Sequence, residues 1–124
     1  MQQQSIKPSP SLLLVDDDED IRESLALLLR DEGYHVEVAS NGREALERLD
    51  RLPAPCAMLL DLMMPVMNGW KVLEVLEARP EQHVPVLVLS AVVPPRLAGA
   101  RACMRKPFDV DALLLQVKQL CAGA

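Results

Sequence analysis

The sequence predicts an α/β fold built on an open, doubly wound parallel sheet. Three observations predict it. Short apolar runs without polar alternation recur along the chain, as strands buried on both faces require. Segments with helical spacing separate them, so the strands run parallel with crossover helices. The apolar runs end in polar residues with oxygen-bearing side chains: Asp16-Asp17-Asp18, Asp61 and Ser90.

The first strand is Leu12-Leu13-Leu14-Val15. Residues 1–10 before it are polar and carry two prolines, the composition of a frayed tail, and residues 11–124 read as one domain. Ile21, Leu25, Leu28 and Leu29 make one stripe of a first helix, closed by Gly33. Asp18 suits the start of that helix, because an acid favours an N-terminus. Val36 and Val38 mark a second strand. Asn41 and Glu44 make a capping box for a helix carrying Ala45, Leu46 and Leu49. Cys56 to Leu60 is a third strand, followed by a loop with Pro65 and Gly69 and by a helix with Val72, Leu73, Val75 and Leu76 that Pro80 stops. Val84 to Leu89 is a fourth strand ending in Ser90, and Ala102 to Met104 a short fifth, followed by Lys106-Pro107. A final helix carries Val110, Leu113, Leu114, Val117 and Leu120, with Asp109 as its cap.

Composition narrows the function. The chain has 124 residues and a net charge of −5, a poor balance for neutralising nucleic-acid phosphates. No apolar stretch approaches the ~20 residues that cross a bilayer, and the N-terminus lacks the apolar run of a secretory signal. The expected location is the cytoplasm. The three cysteines, Cys56, Cys103 and Cys121, show no metal-type spacing and read as separate small buried thiols. One Trp, one Tyr and one Phe leave an aliphatic core. Met58 belongs in that core, Trp70 is a partly buried helix residue, and His35 and His83 are isolated surface or structural residues.

In a doubly wound sheet the ligand sits beyond the carboxyl ends of the strands. There the sequence sets Asp16, Asp17 and Asp61, the hydroxyl of Ser90 and the ammonium of Lys106 on one rim. Crowded carboxylates repel unless a cation joins them. An all-oxygen ligand set favours a hard ion such as Mg²⁺. A carboxylate beside such an ion can act as a nucleophile toward phosphorus.

The segments LLLVDDDEDIR, MLLDLMMPVMNGW, VPVLVLSA and RKPF, in this order, resemble the signature segments of response-regulator receiver domains, over about Leu12 to Leu120. The resemblance, drawn to chemotaxis-type, single-domain members, implies a flavodoxin-like five-stranded sheet of order 2-1-3-4-5. It implies a phosphoryl group accepted on Asp61 from a histidine kinase or phosphotransfer protein, and a conformational signal to a downstream protein target. Nucleic-acid binding by this domain and membrane insertion are not expected. Asp17 matches the direct Mg²⁺ ligand, Asp16 a ligand through water, Asp61 and the Met63 carbonyl the remaining ligands. Ser90 and Lys106 match the hydroxyl and lysine that hold phosphoryl oxygens, Pro107 the family's usually cis proline, and Gly69 the glycine opening the third helix. Side chains two positions after the acceptor and the hydroxyl border the path of hydrolytic water in the family; these are Met63 and Val92.

Two departures stand out. Cys103 occupies the switch position where the family usually carries an aromatic ring. The stretch SAVVPPRLAG is too short and too proline-rich for a full fourth helix, which is expected shortened or absent. Val92, Val93, Pro94 and Pro95 there make an apolar surface for a partner. These departures keep open a phosphorylation-independent interaction module. A haloacid-dehalogenase-like phosphatase, whose Asp-x-Asp motif Asp16 and Asp18 satisfy, leaves Asp61, Pro65 and Gly69 unexplained.

Overall fold

The computed structural model describes residues 10–51, 55–81, 83–92 and 97–122. Among these described residues five strands and four helices follow one another: β1 (Ser11–Val15), α1 (Glu19–Asp31), β2 (His35–Ala39), α2 (Gly42–Arg51), β3 (Ala57–Leu60), α3 (Gly69–Glu77), β4 (Val86–Ser90), β5 (Ala102–Arg105) and α4 (Val110–Ala122). All neighbouring strands pair in parallel, in the order β2-β1-β3-β4-β5. The expected flavodoxin-like winding is the one observed. The expected tail lies, through residue 9, outside the described residues.

The unalternating apolar runs serve two cores at once. Leu13, Val15, Met58, Leu60, Val86 and Val88 face α2 and α3. Their neighbours Leu12, Leu14, Ala57, Leu59, Leu87 and Leu89 face α1 and α4. Side chains alternate across a strand, so a sheet covered on both sides needs apolar residues at every position.

Local chemistry sets the helix ends. Asp18 Oδ1 accepts from the Ile21 N–H (3.1 Å) and caps α1, and Gly33 follows at φ 99°, the left-handed region that glycine enters freely. The Asn41–Glu44 box forms in modified geometry. Asn41 Oδ1 accepts from the Glu44 N–H (2.9 Å), but Glu44 reaches one residue further back and accepts from the Ser40 N–H (2.8 Å). Asn68 caps α3 and Asp109 caps α4. Pro85 lacks an N–H, and β4 begins after it at Val86 rather than at Val84; Ser90 becomes the last residue of the strand.

Among the described residues no helix stands between β4 and β5. Val93, Pro94 and Pro95, part of the expected apolar surface, lie outside the described residues. Leu97 and Ala100 pack against the α2/α3 core instead, and Gly99 turns the chain at φ 89°.

The cysteines are not three separate thiols, as their spacing suggested. Cys56 and Cys121 are joined in a disulfide, and only Cys103 is a free thiol. Parallel winding brings the residue just before β3 against the last turn of α4, and their Cα atoms stand 4.8 Å apart. Sixty-five positions separate the two in sequence, a distance over which spacing carries no signal.

Gly69 has the strictest steric requirement at the acidic edge. Its N–H donates to the Leu62 carbonyl (2.9 Å). A Cβ built there would collide with the Asp61 carbonyl oxygen and lie 2.8 Å from Leu62 Cα. Backbone atoms cannot swing away as a side-chain end can, so Gly69→Ala is expected to lower stability by about 1–3 kcal/mol in denaturant titration. An unchanged midpoint would contradict this packing.

Candidate functional site

Three backbone hydrogen bonds extend the sheet by one rung beyond its strands and fix the rim. The Asp16 N–H donates to the Ala39 carbonyl (3.1 Å), the Asp61 N–H to the Val15 carbonyl (3.0 Å) and the Lys106 N–H to the Ser90 carbonyl (2.9 Å). The sequence places its polar residues one step past the apolar runs, and the ladder then holds their backbones as firmly as strand residues.

The side chains converge. Asp16, Asp17 and Asp61 each offer a carboxylate oxygen, all within 4.8 Å of one another. Asp16 and Asp61 are buried, Asp17 is exposed. Lys106 Nζ donates to Asp16 Oδ2 at 2.7 Å and stands 3.6 Å from Asp61 Oδ2. Asp16 Oδ1 accepts from the Asp18 N–H (2.9 Å). One ammonium therefore serves two buried carboxylates, while the exposed third adds further negative charge.

Electrostatics record the imbalance. Burial pushes the Asp61 carboxyl above the ordinary carboxylate range. Lys106 draws it back, whereas Asp16 and Asp17 push it up. Burial acts on Lys106 in the opposite sense and favours its neutral form, but the hydrogen bond and charge of Asp16, with the charge of Asp61, outweigh burial and hold the ammonium above its usual range. Both shifts follow from crowding anions around one cation in a partly desolvated place.

The Met63 N–H approaches Asp61 Oδ1 at 3.4 Å, and the Met63 side chain is exposed. Ser90 is wholly buried at the end of β4, and its Oγ accepts from the Val92 N–H (3.5 Å). Val92 itself is exposed. The Lys106–Pro107 peptide is cis, as expected. Cys103 lies away from the rim: it pairs with Val88 in the β4–β5 register and packs against the α2/α3 core.

The loop from β3 to α3 is tightly shaped. Val66 sits at φ 68°, a sparsely used region for a β-branched residue. The Met67 carbonyl accepts from the Gly42 N–H (2.9 Å), tying the loop to the start of α2. Sequence reasoning missed Arg22, whose guanidinium donates to the Asp16 carbonyl (2.8 Å) from the first turns of α1. Only the folded turn between β1 and α1 brings these two together.

The donor set fits a hard divalent cation. It is all oxygen, carries three negative charges against one positive, and its central carboxyl is destabilised as an anion. No helix among the described residues is long and apolar enough to cross a membrane.

Residues 12–118 match the family of the response regulator receiver domain. Response regulator RR06 of Streptococcus pneumoniae is 39% identical over 116 residues, covering 89% of this chain and 52% of the relative. The CpxR homolog of Haemophilus influenzae, a transcriptional regulatory protein, is 41% identical over 116 residues, covering 88% of this chain and 49% of its own length. The chain thus spans about half the length of these curated relatives. Among solved structures, response regulator protein TrrA of Thermotoga maritima, in complex with Mg²⁺-BeF, superposes with a TM-score of 0.80 at 30% identity, covering 90% of this chain and 98% of that one. Chemotaxis protein CheY4 of Vibrio cholerae superposes at 0.82 with 29% identity, again covering 90% and 98%. Likeness to a chemotaxis protein and to regulators twice the length supports the family without the chemotaxis-type, single-domain character expected from the signature segments. By fold, site and sequence, this chain belongs to the response regulator receiver domain family.

Proposed function

We propose that the chain accepts a phosphoryl group on Asp61 from a histidine kinase or phosphotransfer protein, in a Mg²⁺-dependent reaction, and passes the change to a protein target. The observation that carries this reading is the convergence of three carboxylates and one ammonium at the carboxyl edge of the sheet. The similar chain solved with Mg²⁺-BeF supports the choice of ion. Asp16, Asp17, Asp61 and the Met63 carbonyl would hold Mg²⁺. When bound, the ion neutralises the excess anionic charge of the pocket and of the incoming phosphoryl oxygens.

The chain's own residues do the rest. An Asp61 oxygen attacks phosphorus, and the bond from phosphorus to the donor breaks with its electron pair leaving on the donor. Lys106 exchanges part of its contact with Asp16 for a phosphoryl oxygen, and the Ser90 hydroxyl donates to another. The product carries roughly −1.5 to −2 charge on the phosphoryl group, as other phosphorylated side chains do. Lys106 and Ser90 are bonded through their backbones, so movement at one is felt at the other. Cys103 cannot supply an inward-turning ring. The loop from Ala91 to Gly99, in which Val92 is exposed, is the proposed readout.

Two expected outcomes test this. Asp61→Asn should abolish labelling by an acyl phosphate donor with Mg²⁺ present, read by intact mass. The same change should raise stability. A carboxyl whose folded pKa is raised favours folding below its ordinary pKa and loses that contribution as pH rises through the folded value. Ionised Asp61 therefore counts against the native state at neutral pH, and Asp61→Asn in chelator should melt a few degrees higher. Full labelling of the variant would refute the acceptor assignment. Failure of the wild type to label would instead favour a phosphorylation-independent interaction module.

The lifetime of the phosphorylated state follows from the residues beside the attack path. Met63 and Val92 are apolar and exposed. Neither side chain can orient a water for in-line attack. The wild-type chain should lose label slowly, over minutes or longer, and Met63→Asn with Val92→Glu should shorten that time several-fold. A wild-type half-life of seconds, or no acceleration, would contradict this assignment.

A further inference from the structure

The end of the sheet opposite the acidic rim carries the second chemically distinctive feature of the molecule. Cys56 stands just before β3 and Cys121 in the last turn of α4, and the two are bonded. Both are only partly buried. Both line the wall of an open cavity of about 680 Å³, together with Leu76, Pro85 and Leu120. A small thiol therefore has a route to the pair.

The third cysteine does not compete. Cys103 packs on the α2/α3 face of the sheet, whereas Cys56 and Cys121 pack on the α1/α4 face. Burial also pushes the Cys103 thiol upward, which leaves less of the reactive thiolate. The pair is thus a closed two-cysteine system.

We propose that Cys56 and Cys121 form a reversible thiol–disulfide site, taking small disulfides and thiols of the glutathione class, which locks or releases the far end of α4. On oxidation, one cysteine thiolate attacks a sulfur of oxidised glutathione and displaces one glutathione thiolate. The other cysteine then attacks the protein sulfur of the mixed disulfide and displaces the second. The two protein thiols lose two electrons and two protons in all, and the glutathione disulfide gains the electrons.

The placement gives the bond its consequence. Cys56 precedes the strand that ends at Asp61, and Cys121 closes the helix that follows Lys106-Pro107. The oxidised clasp thus joins the strand that leads into Asp61 to the helix that begins after Lys106-Pro107, at the ends of both that lie away from the rim. It also closes a loop with a sequence separation of 65, and a cross-link of that span restricts the unfolded chain strongly.

The test equilibrates the full chain with reduced or with oxidised glutathione, then combines a non-reducing peptide map with thermal melting. Oxidised glutathione should produce a peptide linking Cys56 to Cys121, and reduced glutathione should remove it. The oxidised form should melt roughly 10 °C higher. Cys56→Ser should remove that difference. After oxidised glutathione, Cys56 or Cys121 recovered free, held as a stable glutathione adduct, or linked to Cys103 would overturn the proposal, as would a link that survives reduced glutathione or equal melting of the two wild-type forms. The wild-type comparison stands even where the variant fails to fold.

Discussion

The site depends on one constraint: three carboxylates share a rim with a single ammonium. Asp16 and Asp61 are held in place by backbone rungs that continue the sheet. The backbone of neither can move away without breaking a ladder bond. Lys106 bonds Asp16 closely and reaches Asp61 only at longer range. Charge is therefore left over, and its cost falls on Asp61, the carboxyl that burial already disfavours as an anion. A pocket with surplus negative charge and only oxygen donors suits a hard cation.

The rest of the fold serves that arrangement. Apolar residues on both sides of β1, β3 and β4 make the strands rigid from end to end. Gly69 lets α3 begin against the backbone of Asp61 and Leu62. Arg22 ties the start of α1 to the Asp16 carbonyl. At the opposite edge, the bond between Cys56 and Cys121 secures the helix whose beginning follows Lys106. The two edges of one sheet thus carry different chemistry, anionic at the carboxyl ends and sulfur at the amino ends.

Much of this was legible in the sequence, for definite reasons. Unbroken apolar runs such as Leu12 to Val15 predict buried parallel strands, because a strand covered on one face alternates. Acids that directly follow those runs predict a common rim, because parallel strands share a direction. Asp18, Gly33 and Asp109 mark helix ends through local hydrogen bonding and backbone freedom that act over a few residues. What was not legible depends on distant parts of the chain. The Arg22 contact needs a folded turn. The Cys56–Cys121 bond needs the closed winding of the sheet, and composition alone pointed to separate thiols. The start of β4 was misplaced by two residues, because the apolar run continues through Pro85 although proline cannot donate to the ladder.

Asp61 is the carboxyl whose ionisation the surplus charge opposes. Its ionisation can be followed directly by carbon-13 NMR of the side-chain carboxyl in the full chain, first in chelator and then with Mg²⁺. A pKa above the ordinary aspartate range is expected in chelator, with a marked fall when Mg²⁺ is added. An ordinary or depressed value in chelator, with no response to the ion, would contradict it.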